Sequence, residues 1–412
     1  MSKSKHFFGQ PIYSQLLHLL DKSQVLQHSR THTGERYIKR FDAWTHLVVM
    51  LYAVIRRFDS LREITASLQA EGHKLKHLGI DFPAARSTLS DANKRRPQAI
   101  FAAIYHDLYA RYAQELSSDS RTHSAPQWMK RLQIIDSTTI TLFSNLIFKG
   151  VGRHPKNGKK KGGIKVHTVI HANECVPSDV RFTSAATHDS FMLSPAHLPL
   201  GSVIALDRAY VDYEKFEQMT GQGIVYVTKM KKRLNYELLT DTMLQTPEGA
   251  MELRLQEVVF IKKRSAEESI RHRARIITYV DVAKRKLVSL LSNDLESDPR
   301  ELIEIYRKRW LIELLFKQIK QNFPLKYFYG ESANAIQIQI WVTLIANLLL
   351  MVMQRRLKRS WSFSGLATMV RIVLMYYMDF YSLFNHPEQD WIAQFAQEEA
   401  PPEPNLFDWG AY

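Results

Sequence analysis

The sequence predicts an α/β protein: strands alternating with helices, interrupted by an antiparallel β insertion and preceded by an all-helical region. Three observations predict it. Residues 1–125 carry apolar residues at helical spacing. From Gln133 onward, β-branched or alternating runs recur at Gln133 to Leu142, Gly163 to His171, Gly201 to Asp207 and Ile224 to Thr228. A helix is expected from about Tyr213 to Gly221, and strands alternating with helices imply an α/β core. Residues 230–285 break that rhythm, with Val258-Val-Phe-Ile261 and Ile270 to Val280 on either side of a charged turn.

In order along the chain, Asp42 caps a helix running to Arg57, and a second helix runs from about Ser60 to Ala70. A loop with Gly72, Gly79 and Pro83 leads to the polar stretch Ser87 to Arg96, which Pro97 ends. Short helices, a turn and a helix rich in Ser, Asn, Lys and Arg fit a DNA reader using Lys94, Arg95 and Arg96. They fit a helical bundle with a basic surface equally well. Ser117 to Pro126 reads as a linker, and Lys286 to Ser292 resumes the core after the insertion. The expected division is 1–125 helical and DNA-binding, 126–229 and 286–385 the two parts of the core, 230–285 the insertion, and 386–412 a tail.

The 412 residues carry a net charge of +15, so a polyanionic partner is expected, with nucleic acid foremost. A single cysteine, Cys175, excludes an intrachain disulfide and any cysteine-rich metal site, and fits a reducing cytoplasm. The N-terminus lacks the apolar stretch of a signal peptide. One long apolar run, Ile336 to Met353, includes Gln337, Gln339, Thr343 and Asn347, and reads as a buried core helix, not a membrane span.

Candidate chemistry centres on Tyr306 to Lys320. Read as one helix, it brings Tyr306, Arg309, Glu313 and Lys320 within about 60° of one another, opposite Leu311, Leu315 and Ile319. A carboxylate flanked by cations suits a metal-dependent site acting on phosphates; a solvated helix with ion pairs shows the same pattern. Asp136 lies inside the first core strand, where an acid is costly unless a metal or cation meets it. Asp207 ends the fourth, where α/β sheets place their sites. With Glu313 these carboxylates could hold two divalent ions, and magnesium suits such hard oxygen donors. His188-Asp189 either borders the site or forms an ordinary loop pair.

The basic run Arg153 to Lys165, with Lys159, Lys160, Lys161 and Lys165, is either a grip on the phosphate backbone or a solvated loop. Arg271, Arg273 and Arg275 alternate, so a strand would show all three on one face of a DNA-facing hairpin. The histidines show no zinc spacing, and no GxxxxGK[ST] phosphate loop appears, which argues against ATP.

These residues resemble bacterial insertion-sequence transposases of the DDE type, in their IS-four branch. Tyr306, Arg309, Glu313 and Lys320 fit that branch's Tyr-x2-Arg-x3-Glu-x6-Lys signature, and Asp136-Ser-Thr-Thr-Ile and Asp207-Arg-Ala-Tyr210 are similar to its two Asp motifs. Ala209 stands where much of the family has Gly. The resemblance covers roughly residues 126–380 and implies a ribonuclease-H-like core with a β insertion between the second Asp and the Glu. It implies that Asp136, Asp207 and Glu313 ligate two magnesium ions, with manganese as a substitute, and that Tyr306, Arg309 and Lys320 hold phosphates of the transposon end. Related enzymes stack a flipped base on a Trp of the insertion; residues 230–285 have none, leaving either Tyr226, Tyr236, Phe260 or Tyr279 as stand-ins or a different flipped-base step.

The expected function is a transposase that binds inverted repeats of double-stranded DNA, cleaves by hydrolysis and joins the freed 3′-OH to DNA. A homodimer in the synaptic complex, no membrane, and a cytoplasmic place beside the bacterial nucleoid go with it. The alternatives are a ribonuclease-H-like nuclease without strand transfer, or a transposase-derived DNA-binding protein without catalysis.

Overall fold

The computed structural model describes residues 9–36, 38, 40–117, 126–141, 163–231, 233–245, 252–263, 269–281 and 285–388. The N-terminal part is helical: α1 Ile12–Leu17, α2 Lys22–Thr31, α3 Ala43–Arg56, α4 Leu61–Ala70, α5 Arg86–Arg95 and α6 Gln98–Leu116. Helices α2, α3 and α4 start at side-chain caps, as Asp42 shows by accepting from the Thr45 N–H at 2.7 Å. After α7 (Gln127–Arg131) come β1 Leu132–Thr141, β2 Gly163–His171, β3 Pro177–Ser184 and β4 Val203–Leu206. Next are α8 Tyr213–Gly221, β5 Val225–Lys229, β6 Glu237–Gln245, β7 Glu252–Lys263, β8 Ser269–Asp281 and β9 Lys286–Ser292. The chain closes with α9 Pro299–Lys308, α10 Trp310–Asn322, α11 Ala333–Arg356, α12 Phe363–Val373 and α13 Phe380–Asn385.

The described strands form one nine-stranded mixed sheet in the order β3-β2-β1-β4-β5-β9-β8-β7-β6. Strand β1 runs antiparallel to β2 and parallel to β4, and β4 runs parallel to β5. The insertion is antiparallel, as its composition predicts. It is not a separate layer: β9 pairs with β5 on one side and β8 on the other, so β6 to β8 lengthen the core sheet. Every residue of β6 is exposed, Leu238, Leu239, Met243 and Leu244 among them.

The helical region does not stand apart either. One apolar core runs from α1 and α3 through α6 to α11, α12 and the sheet. Helix α11 is its axis, with 89% of its apolar window buried, as expected of a core helix. Its buried polar residues are engaged. Gln339 donates to the carbonyls of Pro324 and Tyr327, both at 2.8 Å, and accepts from the Tyr329 N–H at 2.9 Å. Thr343 donates to the Gln339 carbonyl, and Asn347 accepts from Gln318. A buried amide satisfied in this way fixes the loop before α11, where an apolar residue would leave backbone groups orphaned. At the other end of that loop, Asn334 donates to the carbonyls of Asn93 (2.9 Å) and Arg96 (2.8 Å), tying α5 to α11.

Candidate active site

Strand register builds the site. Ile135 on β1 pairs with Leu206 on β4, so the next residues, Asp136 and Asp207, emerge side by side at the carboxyl end of a parallel pair. The Asp207 carboxylate accepts from the Ala209 N–H at 2.9 Å and so caps the turn after β4. Asp136 accepts from the Ser137 N–H at 2.7 Å.

The stretch expected as one helix is interrupted only at Arg309, which keeps right-handed helical dihedrals (φ −52°, ψ −28°). Helix α9 ends at Lys308, α10 begins at Trp310, and Arg309 stands in the joint. The break does not scatter the four signature residues. The Arg309 guanidinium donates to Asp136 at 3.3 Å and to Glu313 at 2.5 Å, and its carbon lies 5.7 Å from the centre of the Tyr306 ring. Lys320 donates to the Thr139 carbonyl of β1 at 3.3 Å. Leu315 and Ile319 are buried on the opposite side, as the helical spacing predicts.

Charge is crowded here. Burial raises the Asp136 carboxyl from its ordinary 3.8 to about 6; the Ser137 N–H and Arg309 pull it down, and the negative charges of Asp207 and Glu313 push it up again. Burial likewise lowers the Lys320 ammonium. The three carboxylates therefore feel one another, yet they do not close into a metal cage. Among the described residues no three His, Cys, Asp or Glu side chains are grouped closely enough to hold an ion. Arg309 takes up Asp136 and Glu313 instead. In kind the donors fit a hard divalent cation: three carboxylates, with Asp136 and Asp207 adjacent.

Behind Asp136, Ser137 opens a chain of polar contacts that the sequence only hints at. Ser137 donates its hydroxyl to Asp189 at 2.6 Å. Asp189 also pairs with Lys165 at 3.2 Å, and Lys165 donates to the Thr187 carbonyl at 2.7 Å. His167 lies 3.6 Å from Asp189 and bonds Thr183 at 2.7 Å; burial holds its pKa down to about 4, so it is neutral at pH 7. Asp189 thus borders the site, while His188 turns to Ser190.

The structure places the residues expected to contact DNA in different settings. Lys165 is directed inward to Asp189 and is not part of a free basic grip. Lys159, Lys160 and Lys161 lie outside the described residues. Arg96 is buried and donates to the carbonyls of Phe41 (2.8 Å) and Gly34 (3.4 Å), while Lys94 and Arg95 are exposed. Arg271 and Arg273 do share the outer face of β8, but they pair with Glu237 (2.9 Å) and Glu257 (2.7 Å), and Arg275 donates to the Ser297 carbonyl (2.7 Å). Of the aromatic stand-ins, Tyr226, Phe260 and Tyr279 are core residues; Tyr236 is exposed. Trp310, next to Arg309 in the chain, is exposed, and the signature spacing passes over it.

The family model described as "Transposase DDE domain" matches residues 127–349, more than half of the chain. The chain belongs to the DDE transposase family. A second model, a domain of unknown function, matches residues 8–81. A Sinorhizobium fredii protein, named by inference as transposase y4zB, is 26% identical over 267 residues, 65% of this chain and 71% of its own. A Synechocystis protein, similarly named for insertion sequence element IS4SA, is 25% identical over 267 residues, 64% of this chain and 70% of its own. A cryo-EM structure of a piggyBac transposase synaptic complex with hairpin DNA aligns with a TM-score of 0.43 at 10% identity, over 97% of this chain and 87% of that one. As a DDE transposase the chain is an enzyme of DNA cleavage and strand transfer, and its family generally uses divalent metal ions.

Proposed function

We propose that Asp136, Asp207 and Glu313 are the catalytic carboxylates and that the enzyme acts on the terminal inverted repeats of an insertion sequence. The observation that carries this is the emergence of Asp136 and Asp207 side by side from a parallel strand pair, with the Arg309–Glu313 joint laid against them. The strand order β3-β2-β1-β4-β5 with its antiparallel and parallel pairings supports a ribonuclease-H-like core. The two aspartates and Glu313 are the residues to hold magnesium, two ions in the fullest form, with manganese as a substitute. Divalent ions there supply Lewis acidity toward the scissile phosphodiester.

The chain's own contribution is to gather and aim. Tyr306 and Lys320 flank the carboxylates with a phenol and a cation, suited to phosphates of the DNA end. Arg309 offers its fork to a phosphate once it leaves either carboxylate. Lys94, Arg95 and the outer face of β8 are candidate contacts to the duplex. A homodimer carries the two DNA ends in the synaptic complex, and the enzyme works in the cytoplasm beside the nucleoid.

The test is cleavage of labelled duplex carrying the element's own end, with magnesium, comparing wild type with Glu313→Gln. Cuts at the end that disappear in the variant, with end binding kept, are expected. Equal cleavage by both proteins refutes the assignment. Absence of any joined product from a cleaving wild type favours the nuclease reading.

A further inference from the structure

We propose that an arginine-walled cavity in the N-terminal helical region is a docking site for DNA backbone phosphates, separate from the carboxylate site. The proposal rests on reading the chain as an enzyme that binds DNA ends. The cavity has a volume of about 690 Å³. Arg36 and Arg40, from the segment between α2 and α3, meet Arg95 and Arg96 from the end of α5, over Phe41 and Phe82. Among the described residues that line it there is no acidic side chain.

Arg96 shows that the site is built. It is 4% exposed. Its Nη2 and Nε are used by the carbonyls of Phe41 and Gly34, and its guanidinium carbon stands 6.0 Å from the centre of the Phe41 ring. Its Nη1 has no partner among the described residues. A buried donor left without an acceptor costs about 1–3 kcal/mol. Two acids act on Arg96 from nearby, Glu35 and Asp42. Both are engaged: Glu35 accepts from Ser29 Oγ (2.6 Å) and the Ala43 N–H (2.9 Å), and Asp42 caps α3. Neither supplies the missing acceptor.

A helix end is served by one or two cations; four guanidiniums around one cavity exceed that need. Guanidinium forks match phosphate oxygens, and the phenylalanine floor strengthens the attraction by keeping water away. A phosphodiester fits where a carboxylate ligand of small size would leave cations unmatched. Arg36, Arg40 and Arg95 are exposed around the rim, Arg95 beside Asp91 at 3.5 Å, so backbone phosphates can compete for them while Arg96 receives one at depth.

The test uses the full chain, a labelled duplex carrying the element's end, and equilibrium binding over a range of salt. The double substitution Arg36→Ala, Arg40→Ala is expected to weaken binding at least tenfold. It should also reduce the slope of log affinity against log salt by about 0.9 for each phosphate lost. Arg95→Gln, at a well-exposed position, should act in the same direction. Melting temperatures taken alongside should match wild type. Unchanged affinity and slope in both arginine variants, with wild type binding the end, overturns the site and leaves the proposed function standing. If inorganic phosphate raises the wild-type melting temperature but not the double variant's, while both bind duplex equally, the occupant is a free anion and the DNA assignment falls. A wild type that binds no duplex removes both proposals together.

Discussion

Asp136→Asn should stabilise the metal-free protein while ending cleavage. The Asp136 side chain is 17% exposed, and its carboxyl is raised from 3.8 to about 6 because burial and the charges of Asp207 and Glu313 oppose ionisation more than Ser137 and Arg309 favour it. A difference of about 2 pH units at about 1.4 kcal/mol each makes the ionised form about 3 kcal/mol worse in the fold than in the unfolded chain. The sign follows from the raised pKa. Below 3.8 the group is neutral in both states and contributes no penalty. As pH rises through about 6 the penalty appears in full. Asparagine is neutral throughout and keeps an oxygen for Arg309. With an unfolding entropy of about 2 cal/mol/K per residue, 3 kcal/mol corresponds to about 3–4 °C for a chain of this length. The assay is thermal unfolding of both proteins in a chelator at pH 8 and pH 4. The variant should melt higher at pH 8, and the gap should close at pH 4. A variant that melts no higher at pH 8, or a gap independent of pH, refutes the account of crowded charge.

Other perturbations have distinct signatures. Arg309→Ala removes the cation that lowers the Asp136 pKa, so the acid limb of the cleavage pH–rate profile should move to higher pH, with a loss of roughly 10–100-fold at pH 7 from two charge-assisted bonds. An unmoved limb would show that Arg309 does not govern Asp136. Asp189→Ala frees Ser137 and Lys165, and should slow cleavage about tenfold while duplex affinity, read by anisotropy, holds. Equal losses of both would point to a general structural role. Gln339→Leu orphans the carbonyls of Pro324 and Tyr327 and the N–H of Tyr329, and should cost about 2–4 kcal/mol in denaturant unfolding. A loss under 1 kcal/mol would mean that water replaces the amide.

Local elements were well marked in the sequence. Helix α8, strand β2 and strand β9 fall where their residues place them, because caps and period-two alternation are short-range signals. The buried stripe of α11 was legible from its length without charge. Non-local choices were not. Nothing in Tyr306 to Lys320 marks the joint at Arg309 or shows that its guanidinium meets Asp136 on β1. Lys165 and Arg96 look like surface cations until Asp189, Thr187, Gly34 and Phe41 are brought to them by the fold. Arg271 and Arg273 were correctly placed on one face, but Glu237 and Glu257, on neighbouring strands, were invisible as partners. Nor did composition reveal that the insertion would continue the core sheet.

That continuity has a mechanical consequence. A ladder of backbone hydrogen bonds links β1, which bears Asp136, through β4, β5 and β9 to the outer strands of the insertion. A sheet of this kind resists stretching across its strands, because every pair would have to shear or part together. Anything held by β8 or β7 therefore sits at a set distance from the two aspartates, as on a ruler. When the chain must exchange one DNA strand for another, the travel has to come from the nucleic acid, from a second subunit, or from the helices at joints such as Arg309.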